Sequence, residues 1–406
     1  MADVTATPAK PDRGLLVLLT LLVAIGPLST DMYLASLPGL GIYFSAGPER
    51  VQLTLSVFLV GFAVSQLIYG PLADRFGRRP VILGGLVLFA LATAACAFAP
   101  SLELLIAARL AQAIGGCAGP VLGRAVVRDI YTKEEAARAL ALLGAAMSAA
   151  PALAPVLGGV LEAHFGWRAN FVVLTVFAVA VVSLVWLRLP ETNKRLDPAA
   201  TSLKGLVRNY GGLITNRSFL SYAAAIGFGY STLFCFISGS SLVLISGLGL
   251  PPDLYGFCFM ACVGGYLTGT LTTARLARRV GVERLVVAGL AISAIGLGLG
   301  LLYALIRPDV SQGVAVVGIL IPAMIGMLGV GVMLANAMAG LLSPFPHMAG
   351  TAAALSGFLQ MAVASGIGIL VAGAYDGSER PMMAGMAICA TLGLCLHLAL
   401  RPRKET

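Results

Sequence analysis

The sequence predicts an all-α integral membrane protein, with twelve transmembrane helices arranged as two six-helix bundles. Three observations predict it. Of the 406 residues, 58% are hydrophobic and 11% charged, against about 25% charged in a soluble domain. Apolar runs of about 20 residues, the length that crosses a bilayer, recur along the whole chain. The basic residues fall between these runs and mostly on one face.

The first-half runs lie at roughly 14–38, 51–72, 81–99, 104–127, 138–162 and 168–188. The second-half runs lie at roughly 218–246, 253–274, 285–306, 313–340, 351–373 and 381–400. Lys10 and Arg13 before the first run imitate a secretory signal, but a signal core spans only about 7–15 residues. The longer run therefore reads as a retained first span. Segment 189–217 is polar, basic and Pro-containing, and predicts a linker between bundles 1–188 and 218–406.

Arg75, Arg78, Arg79, Arg124, Arg128, Lys133, Arg138 and the linker residues Lys194, Arg195, Lys204 and Arg208 fall on one face. The opposite face holds Arg50, Arg168, Arg307 and Arg380. The positive-inside rule makes the first face cytoplasmic and puts both termini there. A net charge of +9 spread this way is topology, with no patch for nucleic acid. The seven cysteines lie in apolar runs without a CxxC, and read as small apolar fillers. The three histidines are scattered, so no metal site, cofactor or enzyme constellation is expected. Gly296-Leu-Gly298-Leu-Gly300 follows no strand and is no phosphate loop.

Few ionisable groups fall inside the spans. Asp31 lies in span one, as the only carboxylate deep in a span, and Arg109 lies in span four. Each costs about 2.5–3.5 kcal/mol at a helix centre on insertion scales. Both are expected in the half of the membrane away from the basic face, where they can meet. The pair is either a static tie between helices or a proton-coupling device. Gln112, one turn from Arg109, either contacts substrate or caps the arginine. The halves repeat weakly: Ala274-Arg-Leu-Ala-Arg278-Arg279-Val-Gly281 lies over Gly70-Pro-Leu-Ala-Asp74-Arg75-Phe-Gly77. Arg278 stands where Asp74 does, so the two copies differ in charge. Repeated halves suit alternating access to a site between them.

Gly70-Pro-Leu-Ala-Asp74-Arg75-Phe-Gly77-Arg78-Arg79-Pro80 is expected to form a charged turn broken by Gly77 and Pro80. This stretch resembles the loop between helices two and three of the major facilitator superfamily. Arg109-Leu-Ala-Gln112-Ala-Ile-Gly115-Gly116 is similar to its span-four motif, with Ala113 in place of a glycine. Gly115 and Gly119 continue as a small-residue packing face. Pro151-Ala-Leu-Ala-Pro155-Val-Leu-Gly158-Gly159 is similar to the span-five antiporter motif, with Ala154 in place of a glycine. It predicts a kinkable, close-packed helix. Together with Thr30-Asp31-Met-Tyr33-Leu-Ala-Ser-Leu-Pro38 and Arg124-Ala-Val-Val-Arg128-Asp129, these motifs resemble the Bcr/CflA branch of drug:proton antiporters.

The resemblance implies the major facilitator fold, a bacterial inner-membrane location and a monomer. It implies proton-coupled export of small, mostly apolar drugs, with Asp31 carrying the proton and Arg109 setting its affinity. The alternative is export of a physiological solute such as a nucleoside or amino acid, and a non-transporting receptor is a third class. Tyr33, Gln112, Tyr230, Phe234 and Asn336 are the cavity candidates. Aromatic and methionine side chains suit adaptable apolar binding, although plain packing also uses them. Gly70, Asp74, Arg75, Gly77, Arg78, Arg79, Arg124 and Arg128 are expected to form the cytoplasmic gate. In it, Asp74 pairs with Arg124 or Arg128 near the start of span eleven.

Overall fold

A computed structural model of the chain describes residues 13–193, 196–198, 201, 210–306, 310–345 and 348–401. The basic linker residues Lys194, Arg195, Lys204 and Arg208 lie outside the described residues, as do Lys10 and Arg307. Among the described residues, twelve helices are long and apolar enough to cross a membrane. Spans one to six are Gly14–Tyr43, Pro48–Phe76, Arg78–Ala97, Leu102–Ile130, Arg138–Phe165 and Trp167–Arg188. Spans seven to twelve are Arg217–Gly247, Pro252–Ala277, Val282–Ile306, Gln312–Leu342, Ala349–Gly373 and Arg380–Leu400. Most extend a few residues past the apolar runs, because backbone hydrogen bonding continues into the polar interface after apolar side chains stop.

Span one is discontinuous. Helix α1 (Arg13–Asp31) ends at Asp31, a 3-10 turn covers Leu34–Ser36, and helix α2 (Leu37–Tyr43) completes the span. Pro27 lies inside α1 and Pro38 in the first turn of α2, where its missing N–H costs nothing. Because the span runs on to Tyr43, Asp31 lies about 18 Å from the end away from the basic face. Arg109 lies about 10 Å from the corresponding end of span four. Asp31 is thus deeper than its sequence position in a shorter run suggests.

The charged turn is shorter than expected. Span two stays helical to Phe76 with Pro71 inside it, and span three starts at Arg78. Gly77 alone reverses the chain, at φ 99°, a region that L side chains rarely occupy. Pro80 breaks nothing, since it sits in the first turn of span three. Gly281 joins spans eight and nine in the same way, at φ 87°. The repeat read from the sequence is therefore also a repeat of backbone geometry. The side chain of Arg278 lies outside the described residues.

In the second half, a buried polar cluster ties spans seven, nine and twelve. His397 is fully buried, with Nδ1 3.0 Å from Ser221 Oγ and Nε2 3.2 Å from Glu283 Oε1. The Tyr222 hydroxyl donates to Glu283 Oε2 at 2.7 Å.

The halves meet away from the basic face. A Cβ on Gly159 of span five would stand 2.3 Å from the Pro252 carbonyl oxygen of span eight. A Cβ on Gly256 would stand 2.4 Å from the backbone of Val156. Gln52 Nε2 donates to Ser238 Oγ at 2.9 Å, and Ser365 Oγ to the Ser56 carbonyl at 3.0 Å. Nearest the basic face, Gln66 Nε2 meets Met361 Sδ at 3.6 Å. These three are the hydrogen bonds between the halves among the described residues. They stop about 15 Å short of the basic end of span two. Gly70, beyond them, has open space where a Cβ would be. The protein is closed on the side opposite its basic face.

Candidate functional site: the break in span one

Arg109 is fully buried in the first bundle. Its Nη1 donates to the Ser29 carbonyl at 2.9 Å and to Gln112 Oε1 at 2.5 Å. Its Nε donates to the Thr54 carbonyl at 3.1 Å. The Ser29 carbonyl belongs to the last turn of α1, where carbonyls lack helical partners. Arg109 therefore caps the negative end of a half-helix. Its guanidinium also lies 4.3 Å from the Phe58 ring centroid, 4.4 Å from Tyr33 and 5.9 Å from Phe171. Aromatic faces and carbonyls thus hold the cation where a carboxylate would otherwise be needed.

The expected Asp31–Arg109 contact is not formed. Among the described residues no ion pair includes either group. Asp31 is 3% exposed, and its Oδ1 accepts the Thr30 hydroxyl at 2.8 Å. It is the last residue of α1, at the break, where the following 3-10 turn packs against spans seven and eight. The Tyr255 hydroxyl is 2.9 Å from Ser240 Oγ. Tyr255 is a site residue the sequence reading missed, because a lone tyrosine early in span eight carries no motif. The two charges share the break, with Arg109 bound to its backbone and Asp31 forming its edge.

The other cavity candidates resolve by their partners. Gln112 caps Arg109 and passes its own Nε2 to Thr93 Oγ1 at 2.9 Å, so it does not face a cavity here. The Tyr33 hydroxyl is 3.2 Å from Thr54 Oγ1, with its ring under Arg109. Asn336 Nδ2 donates to the Val332 carbonyl at 2.7 Å and to Thr273 Oγ1 at 3.3 Å, clipping span ten to span eight. Phe234 is packed at 1% exposure, whereas Tyr230 of span seven is half-buried.

The small residues act as packing contacts. A Cβ on Gly115 would meet the Gly85 carbonyl oxygen of span three at 2.5 Å, and one on Gly119 the Leu22 carbonyl oxygen of span one at 2.3 Å. A Cβ on Gly158 would lie 1.6 Å from the Met32 carbonyl oxygen, next to Asp31. Pro151 and Pro155 sit inside an unbroken helix. Span five thereby presses backbone to backbone on the span-one break at Gly158 and on span eight at Gly159.

The gate network also differs from expectation. Asp74 pairs with Arg78 at 2.7 Å, within its own turn, and Asp129 takes Arg78 Nε at 3.0 Å. Arg124 turns back to the Pro120 carbonyl at 2.8 Å, and Arg128 is exposed. Arg75 reaches Thr201 Oγ1 at 2.7 Å, and Arg79 the Trp186 carbonyl at 2.9 Å. Asp74 forms no ion pair with Arg124 or Arg128 among the described residues; Arg78, across the Gly77 reversal, takes its carboxylate instead. The missed residue is Glu191. Its carboxylate accepts the backbone N–H groups of Arg78 at 2.9 Å and Arg79 at 3.1 Å, capping the positive end of span three. A Cβ on Gly77 would stand 2.5 Å from Glu191 Oε2, so that glycine also makes room for the cap. Asn193 Nδ2 reaches the Ala73 and Asp74 carbonyls at 3.3 and 3.2 Å, closing the end of span two. Partial desolvation opposes the Glu191 charge, but the backbone N–H donors of Asn193, Arg78, Arg79 and Thr192 outweigh it. They hold the carboxyl below its usual range.

Comparison with known proteins agrees with this architecture. The chain is 30% identical over 385 residues to the bicyclomycin resistance protein homolog of Haemophilus influenzae, covering 95% of each chain. It is 32% identical over 350 residues to multidrug resistance protein D of Escherichia coli K12, covering 86% of this chain and 85% of the other. Among solved structures, a bacterial homolog of the human lysosomal transporter Spinster superposes at a TM-score of 0.74, with 15% identity and 97% of both chains covered. The E. coli xylose transporter XylE superposes at 0.70, with 14% identity, 95% of this chain and 96% of the other covered. The sequence model of the Major Facilitator Superfamily matches residues 19–369, and the chain belongs to that family of transporters.

Proposed function

We propose that this protein exports small, mostly apolar drugs or antimicrobials from a bacterial cell across the inner membrane in exchange for protons. The observation that carries the reading is Asp31. It is a buried carboxylate at the break of a helix whose following turn packs against the other half, with no cation partner among the described residues. A carboxylate so placed must change its environment when the halves rock, which is what coupling requires. The names of the resistance relatives supply the substrate class.

In this reading 1–188 and 218–406 are the rocking bundles and 189–217 the linker, with a monomer as the working unit. The basic face and both termini are cytoplasmic, so the outer side is the closed one. Arg109 acts through the span-one backbone: it grips Ser29, two residues before Asp31. Protonation of Asp31 removes its charge from the edge of the break that Arg109 caps, and so alters which packing of that break is stable. The Arg78–Asp74–Asp129 network with Glu191 holds spans two and three together as the inner end opens. A proton returning through 100 mV supplies about 2.3 kcal/mol, enough for a roughly fiftyfold gradient of neutral substrate.

The test is bicyclomycin transport in proteoliposomes under an imposed pH gradient, with and without sodium. Uptake opposite to proton movement, abolished in Asp31→Asn, is expected. Transport that follows sodium, or runs in the same direction as protons, overturns the reading.

A further inference from the structure

Asp31 is not the only carboxylate within the spans. Glu162, in the outer part of span five, is half-buried. The Ser36 hydroxyl of span one donates to its Oε2 in a short hydrogen bond. Ser36 Oγ in turn accepts from Asn170 Nδ2 of span six at 3.1 Å. Ser36 is fully buried and Asn170 is 1% exposed. The remaining Asn170 oxygen, Oδ1, is buried without a hydrogen-bond partner, which is costly unless something joins it. Span one makes room for the acid, since a Cβ on Gly39 would stand 2.8 Å from Glu162 Oε1.

No cation holds Glu162 among the described residues. Arg168 of span six is turned to the Tyr43 hydroxyl at 3.0 Å and the Ala99 carbonyl at 3.4 Å, with its guanidinium over Trp167. Asp253 of span eight accepts the Leu254 N–H at 2.9 Å. His164, two residues along span five, is exposed. Span one presents Asp31, one and a half turns deeper than Ser36, about 8 Å along the axis. Between these levels Gly158 lies against the Met32 carbonyl. Glu162 therefore stands between Asp31 and the outer end of the protein.

We propose that Glu162, with Ser36 and Asn170, is an outer proton-loading site that supplies Asp31. This rests on the antiport reading above. A proton from the outer water adds to the Glu162 carboxylate and makes the acid. The acid then releases that proton to the Asp31 carboxylate, and Glu162 becomes a carboxylate again. Asn170 Oδ1 supplies an acceptor for a water carrying the proton between them. One proton enters, the same number leaves, and no electron moves.

The test uses the full chain in lipid. Infrared titration reads the C=O stretch of protonated carboxyls. Wild type should show contributions from both acids, Glu162→Gln should lose one, and Asp31→Asn should shift the midpoint of the other, because neighbouring acids titrate together. Bicyclomycin accumulation in everted vesicles reads the coupling. Glu162→Gln should lower proton-driven accumulation about tenfold or more, with the deficit relieved as the lumen is acidified. Glu162→Asp should restore most of it, and gradient-free exchange of labelled for unlabelled bicyclomycin should persist. An infrared titration unchanged by Glu162→Gln, or an unchanged pH profile of accumulation, overturns the loading role and leaves antiport standing. Loss of exchange that Glu162→Asp does not restore makes Glu162 structural and also overturns it. If Asp31→Asn accumulates bicyclomycin like wild type, the antiport reading itself fails.

Discussion

Arg109 and Glu191 show how single residues hold the first bundle together. Arg109 serves three acceptors from a planar fork and stacks on two close rings. Lysine has one compact charge and cannot cover the same acceptors. Arg109→Lys should therefore cost about 2–4 kcal/mol of stability and abolish uphill transport; thermal unfolding in detergent and vesicle uptake measure the two effects. Glu191 makes a pH prediction. Its folded carboxyl is held below the usual value, so the cap contributes stability above that value and loses it as pH falls through the lower, folded one. Acid should loosen the span two–three junction below about pH 4. Glu191→Gln should weaken the junction by about 1 kcal/mol at neutral pH and remove this acid dependence. Proteolysis or hydrogen exchange at Gly77–Arg79 reads it out.

At the scale of elements, span five is the wedge. Gly158 and Gly159 press on two different spans, and any side chain there meets backbone, which cannot rotate away. Gly159→Ala, whose Cβ would meet the Pro252 carbonyl of span eight, should destabilise the packing between the halves by about 1–3 kcal/mol, as overpacking does, and shift the protein toward the opposite state. Gly366→Ala in span eleven has open space and should be neutral. Distance measurements between spin labels on the outer ends of the two halves distinguish them. The break in span one is the complementary element. The sequence reads as one uninterrupted first span, and Pro27, Pro38 and the polar run Ser29–Asp31 do not by themselves place the interruption. Local propensity permits a kinked continuous helix as well, and the Gly158 contact and the Arg109 cap are tertiary.

At the scale of the molecule, the seal away from the basic face is made of uncharged contacts: glycine against backbone, Gln52 on Ser238, Ser365 on the Ser56 carbonyl. Such a seal is easily broken and remade, as alternating access needs. Cross-linking Ser56→Cys to Ser365→Cys should trap this form and stop transport, and reduction should restore it. Uninterrupted transport by the cross-linked protein would show that this seam does not open. The sequence by itself determined the membrane class, the twelve spans, the repeat, the charged turn and the two intramembrane charges. Those follow from apolar run length and the cost of charge in lipid, which act locally along the chain. Only the tertiary structure decided that Arg109 binds carbonyls and rings in place of Asp31, that Glu191 caps span three, and that Glu162 lies beside Ser36. Each of these depends on which helix faces are brought together, and small residues on distant spans set that.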